Sequence, residues 1–352
     1  MSRSIPTQPG AQRPVDPASR SSVAGDRVAV PASADPTSEI LAAALGGSSI
    51  GAAASPAKPI RVVSARISVW KRMANLWESR ELLVHMVRTQ LQVKYKGSVL
   101  GFLWSMLNPA LTLVVYYIVF TKVMKSGVPD FAIFLFAGLL VWNLLSISLQ
   151  EATGTIVSNS GIVKKVAFPR EILALASVGT GVVFFCLQTI VLILAFFGFQ
   201  YQPAYAYLPV ALFAVVDLII FTSALAIFLS AVNVYLRDMQ HLVAVVLLVW
   251  FWAVPIVYPY QRIQSMLGRH GILWLSYLDP MMPIILGMQR GLYGQQLMPA
   301  AATGHVVPSV MPTFGMSSYY LLLLAVFAVS VLLFVGALVV FGRLEGNFAE
   351  EL

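Results

Sequence analysis

The sequence predicts an all-α integral membrane protein with six transmembrane helices, an N-terminal amphipathic interface helix and external re-entrant helices. Three observations carry that expectation. Of the 352 residues, 58% are hydrophobic and only 11% charged, whereas a soluble domain is about a quarter charged. So much apolar surface has no polar shell to hide behind, and lipid is its natural solvent. Six apolar runs approach or exceed the ~20 residues that a helix needs to cross the hydrocarbon. Basic residues, finally, gather in alternate connecting segments, as the positive-inside rule requires of a multi-pass chain.

Residues 1–60 are rich in Ala, Ser, Pro and Gly and lack aromatic anchors. Such a composition cannot bury a core, so a disordered N-terminal tail is expected. The mildly apolar stretch Ile40 to Ala54 is interrupted by Gly46, Gly47, Ser48 and Ser49 and lies too far along the chain for a signal peptide. Residues 61–97 read as a cytoplasmic amphipathic interface helix. Trp70, Met73 and Trp77 recur at helical spacing, as do Leu83, Val84, Val87 and Leu91, with Lys71, Arg72, Arg80, Arg88 and Lys94 between them. A basic helix with Trp on its apolar side suits the membrane interface.

The transmembrane domain is expected over 98–345, with spans near 104–123, 131–151, 172–199, 207–232, 242–260 and 319–341, followed by a cytoplasmic tail at 346–352. The stretch 272–288 is also apolar, but Asp279-Pro280 and Pro283 break it. Broken backbone at membrane depth needs protein or water to satisfy it, so this part of the external segment 261–318 reads as interfacial or re-entrant. Were it to cross, there would be seven spans and the C-terminus would lie outside. Charge sets the orientation. Thirteen basic residues (Arg61, Arg66, Lys71, Arg72, Arg80, Arg88, Lys94, Lys96, Lys164, Lys165, Arg170, Arg237 and Arg343) face five (Lys122, Lys125, Arg262, Arg269 and Arg290). Six spans with both termini cytoplasmic follow. The net charge of +8 then reflects loops near anionic lipid rather than nucleic acid.

No phosphate-binding G-x-x-x-x-G-K-[ST] loop, H-E-x-x-H pair or G-x-S-x-G elbow occurs. The single Cys186 allows no internal disulfide, and His85, His241, His270 and His305 are scattered, so neither a metal site nor a catalytic centre is expected. Asp217 falls near the middle of the fourth span. It belongs either to a proton path or polar conduit, or to helix packing as one hydrogen-bonded carboxylate. A relay needs several ionisable groups in succession, which argues against a proton-driven carrier. The segment 155–170 carries apolar Ile162, Val163, Val166 and Phe168 beside basic Lys164, Lys165 and Arg170. Docking on another protein is one reading and packing on the membrane surface the other. The aromatic residues of the external segment suit sugar stacking and interfacial anchoring equally.

The stretch from Lys94 to Pro109 combines a basic, aromatic patch, a Gly-containing bend, Trp104 and the start of an apolar run. It marks the entry from a surface helix into the membrane. Four segments in order carry a family likeness. They are Lys94-Tyr95-Lys96 through Leu100-Gly101, Trp104 and Asn108-Pro109; Lys164 to Leu173, with Phe168-Pro169-Arg170-Glu171; Asn233 to Asp238 followed by Phe251-Trp252, Pro255-Ile256 and Tyr258-Pro259; and Asp279-Pro280 followed by Arg290-Gly291. From about residue 70 to the end, including Phe341 to Glu345, the chain resembles the permease subunit of type-2 ABC exporters of bacterial cell-surface polysaccharide, the O-antigen, capsule, teichoic-acid and galactan group. Asp279 stands where an Asn is common in that family.

The resemblance implies a homodimer of this chain with a separate ATP-binding cassette subunit, which would hold ATP and Mg, so that this chain needs no cofactor and is no enzyme. It implies a bacterial plasma (inner) membrane location and a substrate of lipopolysaccharide type, a glycan on undecaprenyl pyrophosphate. Segment 155–170 is similar to the family's coupling helix, with Ile162, Val163, Lys164, Lys165, Phe168 and Arg170 as coupling residues. Arg88, Lys94, Tyr95 and Lys96 would meet the lipid pyrophosphate at a cytoplasmic entrance through charge-assisted contacts; anchoring to anionic lipid is the alternative. Tyr116, Tyr117, Trp142, Phe251 and Trp252 are conduit candidates. Two rivals stand beside this reading: a type-2 ABC exporter of a lipid or drug, and a secondary carrier.

Overall fold

The computed structural model describes residues 68–98, 101–123, 128–269, 271, 274–294 and 310–352, and among these every regular element is helical. The expected tail 1–60 and residues 295–309 of the external segment lie outside the described residues.

The interface segment is two helices, α1 (Val69–Glu78) and α2 (Arg80–Tyr95), parted at Ser79. Trp70 and Trp77 project outward, 79% and 73% exposed. After α2 the backbone enters the left-handed region at Gly97 and again at Gly101 (φ 81° and 46°), a conformation that glycine adopts without steric cost. This is the bend that turns the chain into α3 (Trp104–Tyr116). Pro109 sits inside α3, and a π-helical stretch, Tyr117–Val123, prolongs it.

The long hydrophobic helices follow: α4 (Phe131–Ser158), α6 (Glu171–Phe199), α7 (Leu208–Tyr235) and α12 (Met316–Leu344). Between α4 and α6 lies the four-residue α5 (Ser160–Val163). After α7 come α8 (Met239–Ala253), α9 (Tyr260–Arg269), α10 (Trp274–Tyr277) and α11 (Met281–Leu292), and α13 (Phe348–Glu351) closes the chain.

Helix α4 is the hub. Its most apolar stretch is 89% buried within the protein, against 28% for that of α12. The remaining apolar faces of α6, α7 and α12 are left for lipid or another subunit. Close approach depends on small residues. A Cβ on Gly181 of α6 would lie 2.1 Å from Ser148 Oγ of α4, and one on Gly291 of α11 would lie 2.6 Å from Ala211 of α7.

Among the described residues, four helices, α4, α6, the Tyr205–Tyr235 stretch containing α7, and α12, are long and apolar enough to cross a membrane; α3 and α8 are shorter. The expected run 242–260 is therefore not one helix. Helix α8 has 15 residues, about 22 Å, and Val254 beyond it is extended (φ −100°, ψ 151°). The cause is Pro255, because proline pushes the preceding residue out of the helical region. The expected span 131–151 is longer than the sequence suggested, continuing to Ser158 and absorbing residues 155–158 of the expected coupling segment.

Two ends of the bundle are distinct. At one, the C-termini of α4, α7 and α12 meet the N-terminus of α6; Tyr235 Oη donates to the Leu344 carbonyl at 2.8 Å. At the other, Tyr293 Oη donates to the Pro129 carbonyl at 2.7 Å, the Tyr201 hydroxyl donates to the Tyr293 carbonyl, and Tyr207 and Tyr319 meet edge-on.

Candidate functional site: a cationic groove and an ion-pair junction

Four helices build a groove of about 510 Å³. Helical spacing explains its walls. Phe184 and Gln188 stand one turn apart on α6, Trp104 and Asn108 one turn apart on α3, and Ile147 lies one turn before Glu151 on α4. Lys94 and Tyr95, at the end of α2, form its mouth. Lys94 Nζ lies 2.8 Å from Glu151 Oε1 and 4.6 Å from the centre of the Phe184 ring. Tyr95 meets Phe184 edge to face, with centroids 6.4 Å apart. Deeper in, Asn143 Nδ2 donates to Gln188 Oε1 at 2.9 Å, tying α4 to α6.

Helix α2 is held against α6 along its length. Gly179 faces Val87, and Thr180 Oγ1 donates to Gln90 Oε1 at 2.8 Å. The interface helix thus packs on protein through one face, half-burying Leu83, Met86, Val87, Gln90 and Leu91.

A second constellation lies at the end where α1, α6 and α12 converge. Arg72 spans two carboxylates: Nη1 pairs with Glu171, and Nη2 reaches Glu345 Oε2 at 2.8 Å. Arg170 Nη1 donates to the Glu345 carbonyl at 2.9 Å, and its guanidinium stacks 5.8 Å from the Phe348 ring centre. Glu171 is 2% exposed. A cavity of about 250 Å³ adjoins this junction, lined by Arg72, Asn75, Phe168, Pro169, Glu171 and Glu345.

Of the expected entrance residues, the structure brings Lys94 and Tyr95 into one groove. Arg88 lies exposed six positions earlier on α2, about 240° around the helix from Lys94. Lys96 is exposed just past the end of α2. In the coupling segment, Ile162 and Val166 point outward, 46% and 53% exposed, beside exposed Lys164 and Lys165. Val163 is turned into the core at 2% exposure, and Phe168 packs against it. Arg170 belongs to the ion-pair junction. Consecutive helical residues are about 100° apart, and here Val163 is the one turned to the core, so the outward face of the segment carries Ile162 rather than Val163.

The conduit candidates scatter. Trp142 is buried against Trp250 and Phe251. Trp252 is 59% exposed, and Tyr116 and Tyr117 are half-buried beside Phe120 and Phe199 respectively. Asp217 is fully buried, and among the described residues neither carboxylate oxygen has a hydrogen-bond partner. Asp279 instead accepts from Trp250 Nε1 and from the Met281 amide, both at 2.9 Å, and so caps α11. Glu151, Phe184 and Gln188 were not legible as site residues. Only the isolated polarity of Glu151 and Gln188 within apolar runs marked them.

Residues 81–293 match the family model described as ABC-2 type transporter. The chain is 34% identical over 279 residues to an O-antigen export system permease protein, RfbA, of Myxococcus xanthus, covering 79% of this chain and 97% of that one. The chain belongs to the ABC-2 type transporter family. It is also 31% identical over 222 residues to an O-antigen export system permease protein of Klebsiella pneumoniae, covering 62% of this chain and 83% of that one. The matched region of this transporter chain contains the whole groove. Arg72 and Glu345, two corners of the ion-pair junction, lie outside it.

Proposed function

We propose that this chain is the permease subunit of an ATP-driven exporter that carries a cell-surface polysaccharide of O-antigen type, linked to a polyprenyl pyrophosphate, out of the cytoplasm. The observation that carries the proposal is the likeness to an O-antigen export permease over 97% of that protein's length. A shared membrane domain alone would leave lipid and drug export equally open.

In this reading α3 and α8 complete six crossings, the 261–318 segment is external with re-entrant helices, and both termini face the cytoplasm of the inner membrane. Two copies of the chain form the conduit, each with an ATP-binding cassette subunit on its cytoplasmic side. The chain has no phosphate-binding loop of its own, so ATP chemistry belongs to that partner. Ile162, Lys164, Lys165 and Val166, all exposed at the turn between α4 and α6, form the docking face, while Val163 and Phe168 hold the turn to the bundle. Lys94 and Tyr95 at the mouth of the groove receive the pyrophosphate, with Arg88 and Lys96 adding positive potential nearby. Tyr116, Tyr117, Phe251 and Trp252 are the conduit candidates that keep exposed surface.

The test is depletion of this chain in its own cell. Surface polysaccharide should fall while polyprenyl-pyrophosphate glycan accumulates on the cytoplasmic side. Loss of a lipid or drug efflux phenotype with normal surface glycan would overturn the proposal.

A further inference from the structure

The groove is occupied at its mouth by an internal anion. Glu151 Oε1 sits 2.8 Å from Lys94 Nζ, in the position that a phosphate oxygen would need. The pair is weakly sheltered: the two side chains are 43% and 33% exposed, and ion pairs this open to water are only marginally stabilising. Phe184, under the ammonium, fixes the lysine over the groove. Behind it, Trp104, Asn108 and Gln188 line the cavity, an aromatic face and two amides suited to a sugar ring and its hydroxyls. The two partners also belong to different bodies: Lys94 ends α2, whereas Glu151 is built into the hub helix α4.

We infer that Lys94–Glu151 is a latch: the doubly anionic headgroup displaces Glu151 from Lys94, and that exchange frees the groove for the first sugar. The inference rests on the proposed pyrophosphate-linked substrate. A pyrophosphate outcompetes a single carboxylate because it brings more charge and several strong acceptor oxygens to the same ammonium. Once displaced, Glu151 faces the headgroup as a like charge, and the repulsion acts between α2 and α4. Without substrate, the carboxylate neutralises the lysine and discourages a single-charge lipid headgroup from filling the site.

The test uses the permease with its ATP-binding subunit in nanodiscs of neutral phosphatidylcholine, titrated with farnesyl pyrophosphate and, as the uncharged control, farnesol. Glu151→Gln removes the competitor at nearly constant shape and should tighten farnesyl pyrophosphate binding by up to about fivefold, the factor equivalent to an exposed pair. Lys94→Gln should weaken binding by at least about tenfold, the loss expected for a charge-assisted hydrogen bond. Farnesol should respond to neither. A second variant, Glu151→Ala, should tighten binding as Glu151→Gln does. Unchanged or weaker binding in both Glu151 variants, with the wild type binding normally, would overturn the latch and leave the substrate reading standing. No binding to the wild type would overturn both. If phosphatidylglycerol discs abolish farnesyl pyrophosphate binding, the site holds ordinary lipid headgroups and the latch is refuted.

Discussion

Replacing Arg72 by Ala isolates the ion-pair junction. The guanidinium bridges Glu171 and Glu345 with separate nitrogens, and Glu171 is 2% exposed. Removing one partner of a buried pair leaves an uncompensated charge, which costs 3–5 kcal/mol. Arg72 itself retains 11% exposure, so the loss should fall near the lower end, about 3 kcal/mol. Replacing both partners tells a different story. Arg72→Met with Glu171→Leu removes the desolvation penalty along with the attraction, and such exchanges are often neutral; the double variant should lie within about 1 kcal/mol of the wild type. Arg72→Lys should fall between, because a point-like ammonium cannot reproduce the fork that spans two carboxylates. The assay is unfolding in mixed micelles titrated with dodecyl sulfate, with the wild type, Arg72→Met, Glu171→Leu and their double variant assembled as a double-mutant cycle. If Arg72→Met and Glu171→Leu add to within about 0.5 kcal/mol in the double variant, the residues are uncoupled and the reasoning fails.

Other consequences can be checked singly. Gly179→Ala would set a Cβ 2.6 Å from Val87 Cγ2, an overpacking worth about 1–3 kcal/mol; adding Val87→Ala should recover part of that loss in the same unfolding assay. The paired change Ile162→Ala and Val166→Ala should weaken capture of the ATP-binding subunit in a pull-down with little effect on stability. Val163→Ala should do the reverse, costing about 1–3 kcal/mol for the lost core contacts. Burial pushes the Asp279 carboxyl above the ordinary Asp value, with the Trp250 and Met281 donors pulling it back. A carboxyl raised in this way contributes stability that is complete below about pH 3.9 and is lost as pH rises through its folded-state value. Thermal midpoints should therefore fall with rising pH across that interval in the wild type, and this component should vanish in Asp279→Asn.

Fold class was legible because lipid imposes it: apolar runs of the right length can only be helices. Helix ends were less legible where local chemistry competed with hydropathy. Residues 254–259 are as apolar as the helix before them, yet Pro255 and Pro259 stop α8 early. In the other direction, Thr155 to Ser158 look polar enough to be loop, yet they continue α4 because Thr155 and Ile156 are buried against its neighbours. Lys94 and Tyr95 were legible as site residues from charge and aromatic character beside an entry into lipid. Their counterparts were not, since Glu151 is 57 residues away from Lys94, and Arg72 is 99 residues from Glu171 and 273 from Glu345. Pairing across such separations is decided by helix packing, which one sequence does not display.

The placement of Glu151 gives the packing of α4 a mechanical meaning. Helix α4 has 28 residues, about 42 Å of continuous hydrogen-bonded backbone, and it is sealed on nearly all sides by other helices. Glu151 lies about two turns before its end, and the end leads directly into α5 and the exposed face of Ile162, Lys164, Lys165 and Val166. Within a helix so confined, a push on the turn cannot be absorbed by bending and displaces Glu151 with it. Lys94 stands on α2, which is fastened to α6 through Gly179–Val87 and Thr180–Gln90 rather than to α4. The Lys94–Glu151 pair, a polar tie between α2 and α4, is thus a place where relative motion of the hub and the α2–α6 unit would be felt. The same motion would find the Arg72 junction stiff, since it joins α1, α6 and α12 and leaves α4 out.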